Sequence, residues 1–379
     1  MTTLPRAISS RHRSVALVAA FAVMLGSCGP ATTSPSSSSP APASVAPTAS
    51  QRETAPPSPA SAEPSAAVVP QPPGRIAFDR FDGAFGAEAP YLGSFIVEPD
   101  GSDPRRLEVP IETIALEPVW SRSGTRLLLS TWPPPQGPER PAVIDADGTG
   151  FVRFELPDVD GDMLCSGWAP DDALLACKIT GYTPDLDGIY TLRPDGTGLT
   201  RVTTSPFHFT SGSAGDCGGG EGRGTFSPDG SRIAFIRQRC GTGANPSADE
   251  SASLAVVNVD GSGLEEIVPQ GGVKSHPGSR ISWSTDGAWI AFGSQTGDLF
   301  VVQPDGSGLR RVPIPADVGQ HHAYGPAWAP DGTRIVFSMY VDGQGSTDLY
   351  SIAPDGSGLF QVTDEDGAEA FATWGDPGR

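Results

Sequence analysis

The sequence predicts an all-β fold: a six-bladed β-propeller of four-stranded antiparallel blades, closed by N- and C-terminal strands that share one blade. Three observations predict it. Gly and Pro number 47 and 39 among 379 residues, and no long amphipathic run of Ala, Glu, Lys and Leu appears, which favours short strands joined by turns. Two short motifs alternate through residues 74–379, the mark of a repeat architecture. That region also opens and closes on half-units that complete each other.

The chain begins with a segment that is not part of the ring. Arg6, Arg11 and Arg13 precede an apolar run from Val15 to Leu25, too short to span a bilayer, so residues 1–27 read as a signal peptide. The stretch Leu25-Gly26-Ser27-Cys28 resembles the lipobox of bacterial lipoproteins. That resemblance implies that Cys28 becomes the mature N-terminus, carrying a thioether-linked diacylglycerol and an amide-linked acyl chain. Several acyl chains anchor a protein durably where one holds it only marginally. Residues 28–73 are almost entirely Pro, Ser, Ala and Thr, cannot bury enough apolar surface to fold, and read as a disordered tether.

Within residues 74–379 the first motif is an aromatic residue, a turn and an apolar triplet: "VWSRSGTRLLL" at Trp120, "GWAPDDALLA" at Trp168, "TFSPDGSRIAF" at Phe226, "SWSTDGAWIAF" at Trp283 and "AWAPDGTRIVF" at Trp328. The second is an apolar strand ending in a glycine turn: "FIVEPDGSDPRRL", "AVIDADGTGFVRF", "IYTLRPDGTGLTRV", "LAVVNVDGSGLEEI", "LFVVQPDGSGLRRV" and "LYSIAPDGSGLFQV". A pair of motifs supplies four strands: A ends at the aromatic, B carries the triplet, C precedes the Asp-Gly and D follows it. Four antiparallel strands per unit is a propeller blade. "GRIAF" at Gly74–Phe78 is a B strand without an A, and "AFATW" at Ala370–Trp374 is an A strand without a B, so together they complete one blade.

These motifs resemble the WD40-like repeats of the TolB propeller family, whose pattern is an aromatic, Ser-Pro-Asp-Gly and an Ile-Ala-Phe-like strand. The resemblance covers the whole folded region and implies a TolB-like propeller. Two features depart from it: the mixed α/β domain that precedes the propeller in TolB is replaced by the tether, and Arg122-Ser123 and Thr285-Asp286 stand where Pro-Asp is expected.

In Ser227-Pro228-Asp229-Gly230, Pro presets φ near −65°, Asp accepts a backbone N–H and Gly takes the positive φ that ends a type I turn. The aromatic before the turn (Trp168, Phe226, Trp283, Trp328) is expected to pack between neighbouring blades. In a meander the A–B and C–D turns share one end, so the short Asp-Gly turns crowd one face. The irregular loops 131–139, 180–187, 204–222, 238–253 and 313–325 gather at the other, where function is expected. Candidate binding residues on that face are His208, His321, His322 and Tyr324, with solvated loop residues as the plain alternative. Asp158, Asp160 and Asp162 alternate like the start of a calcium loop but lack its later Gly and Glu, so no metal and no cofactor are expected.

After Cys28 four cysteines remain. Cys217 and Cys240 lie symmetrically about the Pro228-Asp229 turn, and Cys165 and Cys177 within a residue of symmetry about Pro170-Asp171, so disulfides Cys165–Cys177 and Cys217–Cys240 are expected. No Cys-x-x-Cys spacing supports a metal cluster.

A formal charge of −19 repels phosphate backbones and excludes nucleic acid as a partner. No serine of the folded region has the Gly-x-Ser-x-Gly context of a nucleophile elbow. The expected function is a non-catalytic platform binding an envelope protein or glycan. The chain is expected to be monomeric, extracytoplasmic and lipid-anchored to the bacterial cell membrane, or to the outer membrane where the host has one. The alternative is an envelope enzyme, a polysaccharide lyase or hydrolase, with its site on the irregular-loop face.

Overall fold

The computed structural model describes residues 71–83, 89–110, 114–132, 137–181, 184–205, 220–239, 251–269, 280–294 and 296–376. The signal segment, Cys28, the tether up to residue 70, His208, Cys217 and Cys240 lie outside them. The fold is an all-β propeller. Among the described residues the helical segments are 3-10 turns at Pro184–Leu186 and Ala316–Val318.

Four sheets are four-stranded meanders. One runs β4 (Ile114–Trp120), β5 (Arg126–Trp132), β6 (Arg140–Asp145) and β7 (Val152–Arg153). The next is β8 (Gly161–Trp168), β9 (Leu175–Gly181), β10 (Gly188–Leu192) and β11 (Thr200–Arg201). The third comprises β12 (Gly220–Phe226), β13 (Arg232–Arg239), β14 (Ser251–Asn258) and β15 (Glu265–Val268). The fourth has β16 (Ile281–Trp283), β17 (Ile290–Gly293), β18 (Leu299–Val302) and β19 (Arg310–Arg311).

The remaining strands form one eight-stranded sheet: β1 (Arg75–Phe81), β2 (Tyr91–Val97), β3 (Arg105–Arg106), β20 (His321–Trp328), β21 (Ile335–Val341), β22 (Thr347–Ile352), β23 (Phe360–Gln361) and β24 (Ala368–Gly375). Its two halves are joined by a single parallel pair, Thr347 opposite Ala368. The first and last described strands meet in it, β1 pairing antiparallel with β24 from Arg75 opposite Gly375 to Phe81 opposite Ala368. Gly375 is required there: a Cβ would come within 2.3 Å of the Trp120 ring.

The apolar triplets explain why the sheets stack. Ile233, Ala234 and Phe235 are all fully buried, because alternate residues of a strand face opposite sides and both sides are covered. Ile233 and Phe235 pack with Phe226, while Ala234 joins Trp283 of the following sheet. The same division puts Ala77 against Trp120, Leu128 against Trp168, Ala176 against Phe226, Ala291 against Trp328 and Val336 against Trp374. Four of these six middle residues are Ala, which leaves room for the next sheet's aromatic. The innermost strands close a ring, β4 lying against β8, β8 against β12, β12 against β16, β16 against β20, β20 against β24 and β24 against β4.

The turns follow the Pro-Asp-Gly chemistry. In the first motif Gly230 N donates to Ser227 O at 2.9 Å and Ser231 N to Asp229 Oδ1 at 3.1 Å. In the second, Gly306 has φ 83° and a Cβ would lie 2.6 Å from Ile267 O of the preceding sheet, so the glycine serves both turn and packing.

One expectation needs correction, and one is met. His321, His322 and Tyr324 were placed in an irregular loop, 313–325, but they begin β20, His321 opposite Val341, His322 opposite Tyr340 and Tyr324 opposite Ser338. The long β-prone run Ile335–Val341 on β21 offers partners that extend the ladder past the glycine at 325. The expected Cys165–Cys177 disulfide is present, the two residues lying directly opposite each other and the residue of asymmetry being absorbed by a bulge at Ser166.

Candidate functional site

Five of the six innermost strands, all but β16, share one irregularity. In these five the antiparallel register slips by a residue, between Leu116 and Val119 on β4, Cys165 and Gly167 on β8, Glu221 and Gly224 on β12, and Tyr324 and Ala327 on β20, and opposite the Ala77–Asp79 step on β24. A bulge re-aims the side chains at the slip. Three residues before the motif aromatics, the chain carries Glu117, Arg223, Arg280 and Phe371.

These four converge. Arg223 Nη2 donates to Glu117 Oε1 in a buried ion pair between β12 and β4. The guanidiniums of Arg223 and Arg280 lie 5.6 and 5.7 Å from the Phe371 ring centroid, a cation–π arrangement. In ring order β12 and β24 are opposite, so contact between Arg223 and Phe371 crosses the axis. Arg280 Nη1 donates to Pro118 O at 3.0 Å, and Thr373 Oγ1 donates to the same carbonyl at 3.0 Å.

Above this floor opens an axial cavity of 640 Å³. Its walls are Trp120, Trp168, Phe226, Trp283, Trp328 and Trp374, each 5–8% exposed, and its rim is formed by the A–B turns. Neighbouring turns are tied at the rim: Asp172 accepts from Arg122 N at 2.6 Å and Ser123 N at 3.1 Å, and Thr285 Oγ1 donates to Pro330 O at 2.8 Å. The cavity is therefore on the short-turn face, opposite the loops to which the sequence directs attention.

Burial sets the electrostatics. Asp79, directly behind Glu117, accepts Ser94 Oγ at 2.6 Å and Glu117 N at 2.5 Å, yet burial outweighs both and pushes its carboxyl up to about 7. Burial brings the Arg280 guanidinium down to about 10. Towards the other end, burial and the Glu117 charge raise the Glu139 carboxyl to about 8, and burial beside Arg223 lowers the Lys178 ammonium.

None of the described residues expected to bind lines this cavity. His321 Nδ1 lies 2.8 Å from Gly319 O, His322 sits against Gly297, and burial raises the Tyr324 phenol above its usual range. Asp162 Oδ1 accepts Glu139 N at 2.8 Å, and among the described residues no three His, Cys, Asp or Glu side chains are grouped to hold a metal ion. The floor residues were missed because the motif aromatics were read for packing alone. The signal that could have found them is the position three before each aromatic, which varies in chemistry while its neighbours repeat.

No family model matches the chain, and no curated protein matches it. Solved structures do. TolB from Acinetobacter baumannii matches at 15% identity with a TM-score of 0.57, over 79% of this chain and 66% of that one. The putative TolB from Agrobacterium tumefaciens matches at 18% identity and 0.52, over 78% and 90%. Hydrazine synthase of Kuenenia stuttgartiensis matches at 12% identity and 0.59, over 80% and 46%. The chain thus spans just under two thirds of the Acinetobacter TolB. Likeness at these identities establishes the propeller fold and carries no activity with it.

Proposed function

We propose that the chain is a six-bladed propeller held at a bacterial cell surface through Cys28. It works as a non-catalytic platform whose ligand, a protein or glycan of the cell envelope, seats at the axial mouth. Dividing the eight-stranded sheet at its single parallel pair supports this blade count. Each half then matches the other four sheets, and the halves face each other across Phe78, Val336, Leu349 and Trp374. The lipobox-like Leu-Gly-Ser-Cys segment supports the anchor.

One observation carries the binding reading: a 640 Å³ cavity on the ring axis, walled by an aromatic from each innermost strand and floored by buried charge. Concave sites with few convergent polar groups on a rigid scaffold are where proteins take ligands. A platform is favoured over an envelope enzyme because the carboxylates at the floor are already engaged, Glu117 by Arg223 and Asp79 by Ser94 and the Glu117 N–H.

The test is site-specific photo-crosslinking of the full chain on cells. A crosslinker replacing Asp171 at the rim is expected to capture an envelope component, while one replacing Gln344, between β21 and β22 at the far end, captures none. Capture from Gln344 alone would overturn the assignment of the mouth.

A further inference from the structure

The axial cavity concentrates hydrogen-bond donors that have no acceptor. Among the described residues, the indole N–H groups of Trp120, Trp283, Trp328 and Trp374, and Nε and Nη2 of Arg280, are buried without a hydrogen-bond partner, and all five residues line this cavity. Every one of these atoms is a donor. Elsewhere the same condition falls on donors and acceptors together, for example Ser130, Glu139 and Asp348. Buried donors nearly always find acceptors, and those that do not ask for an explanation. Trp168 shows that the wall geometry allows one: its indole donates to Val119 O at 3.1 Å.

The arginine narrows the chemistry. Its Nη1 is taken by Pro118 O, so the edge left without a partner is the buried one bearing Nε and Nη2, the fork that grips a carboxylate side-on through two parallel bonds. Its neighbour Arg223 is matched by Glu117, and both oxygens of Asp79 already accept bonds from other donors. The Glu117 and Asp79 charges act on the Arg280 guanidinium through space, but among the described residues no carboxylate forms an ion pair with it, and it is 7% exposed. A single guanidinium fork without a direct ion pair suits a monoanion. A phosphate dianion would leave net negative charge inside a chain whose formal charge is already −19.

We propose that the axial cavity is a carboxylate-binding site, with the Nε–Nη2 edge of Arg280 taking the carboxylate and the wall indoles donating to acceptor atoms of the same ligand. This rests on the mouth being the ligand site and adds the chemical group it selects.

The test uses the full chain with three probes: 3-phenylpropionate, its neutral amide, and inorganic phosphate. Calorimetry gives affinities, and nuclear magnetic resonance follows the indole N–H signals. The acid is expected to bind at least tenfold more tightly than the amide or phosphate and to shift indole N–H resonances of Trp120, Trp283, Trp328 or Trp374. Arg280→Gln is expected to weaken the acid at least tenfold, in keeping with loss of a charge-assisted pair. Arg280→Lys, which keeps the charge but not the fork, should fall between. If the glutamine variant does not fold, the wild-type probes still decide. Equal binding of acid and amide, tighter binding of phosphate, or acid binding that moves no indole signal would overturn the proposal. Those results would leave the mouth standing as a platform site if Asp171 still captured a partner; capture confined to Gln344 would remove both.

Discussion

Glu117 and Phe371 take left-handed backbone conformations, φ 63° and 58°, at the bulge position where β20 has Gly325 at φ 63°. A side chain there costs roughly 1–2 kcal/mol, which glycine avoids. The strain is accepted at the two places where the side chain completes the axial floor. Chemical variety at this position can be read in the sequence, but convergence cannot, because it depends on the ring bringing β4, β12 and β24 across one axis.

The buried Asp79 gives a pH dependence whose sign follows from its shift. Its carboxyl rises from 3.8 to about 7 on folding, so within that window the folded state holds more protons than the unfolded one. Its contribution to stability is therefore greatest at acid pH and declines as pH climbs to about 7. Glu139, raised to about 8, acts in the same sense. Thermal unfolding of Asp79→Asn is expected to lose less stability than wild type between about pH 4 and about pH 7. Parallel curves for the two proteins would contradict the assignment.

At the scale of elements, the B strands were the most legible part of the chain. An uninterrupted triplet such as Ile-Ala-Phe is what a strand covered on both faces requires, and its small middle residue records the next sheet's aromatic. Bulges left no comparable trace, which is why His321 to Tyr324 read as loop and Cys165 and Cys177 as a residue out of step. Links between neighbouring sheets, and between the two halves of the eight-stranded sheet, were also hidden. Thr203 at the end of one meander donates to Glu221 on β12, which pairs with Arg237, and Thr363 donates to Glu369 on β24, which pairs with Arg80. Each threonine hydroxyl also accepts a backbone N–H at 2.9 Å, from Ile189 and Leu349 respectively.

Replacing either threonine by valine leaves a buried carboxylate and a buried N–H each short of a partner. Each single variant should lose about 1–3 kcal/mol in denaturant unfolding. The two links sit in different interfaces, so the double variant should lose the sum to within about 0.5 kcal/mol. A neutral single variant would show that the links are incidental.

For the whole molecule, the repeat and its split ends made ring closure legible, and β1 paired with β24 is that closure. The function-bearing face was not legible. Loop irregularity pointed to one end of the ring, whereas the cavity is built at the other from turns that look purely architectural, each contributing a wall aromatic and a rim. A repeated turn is invisible as a site in any single copy, because the site exists only when the copies are arranged around an axis.

The claim that the ligand enters this mouth is tested most directly by blocking it. The measurement is affinity for the captured envelope partner, compared between Arg122→Trp, which crowds the rim, and Gln344→Trp at the far end. The account predicts at least a tenfold loss for Arg122→Trp with unchanged thermal stability and no loss for Gln344→Trp. Full affinity in Arg122→Trp, with the loss moved to Gln344→Trp, would contradict it.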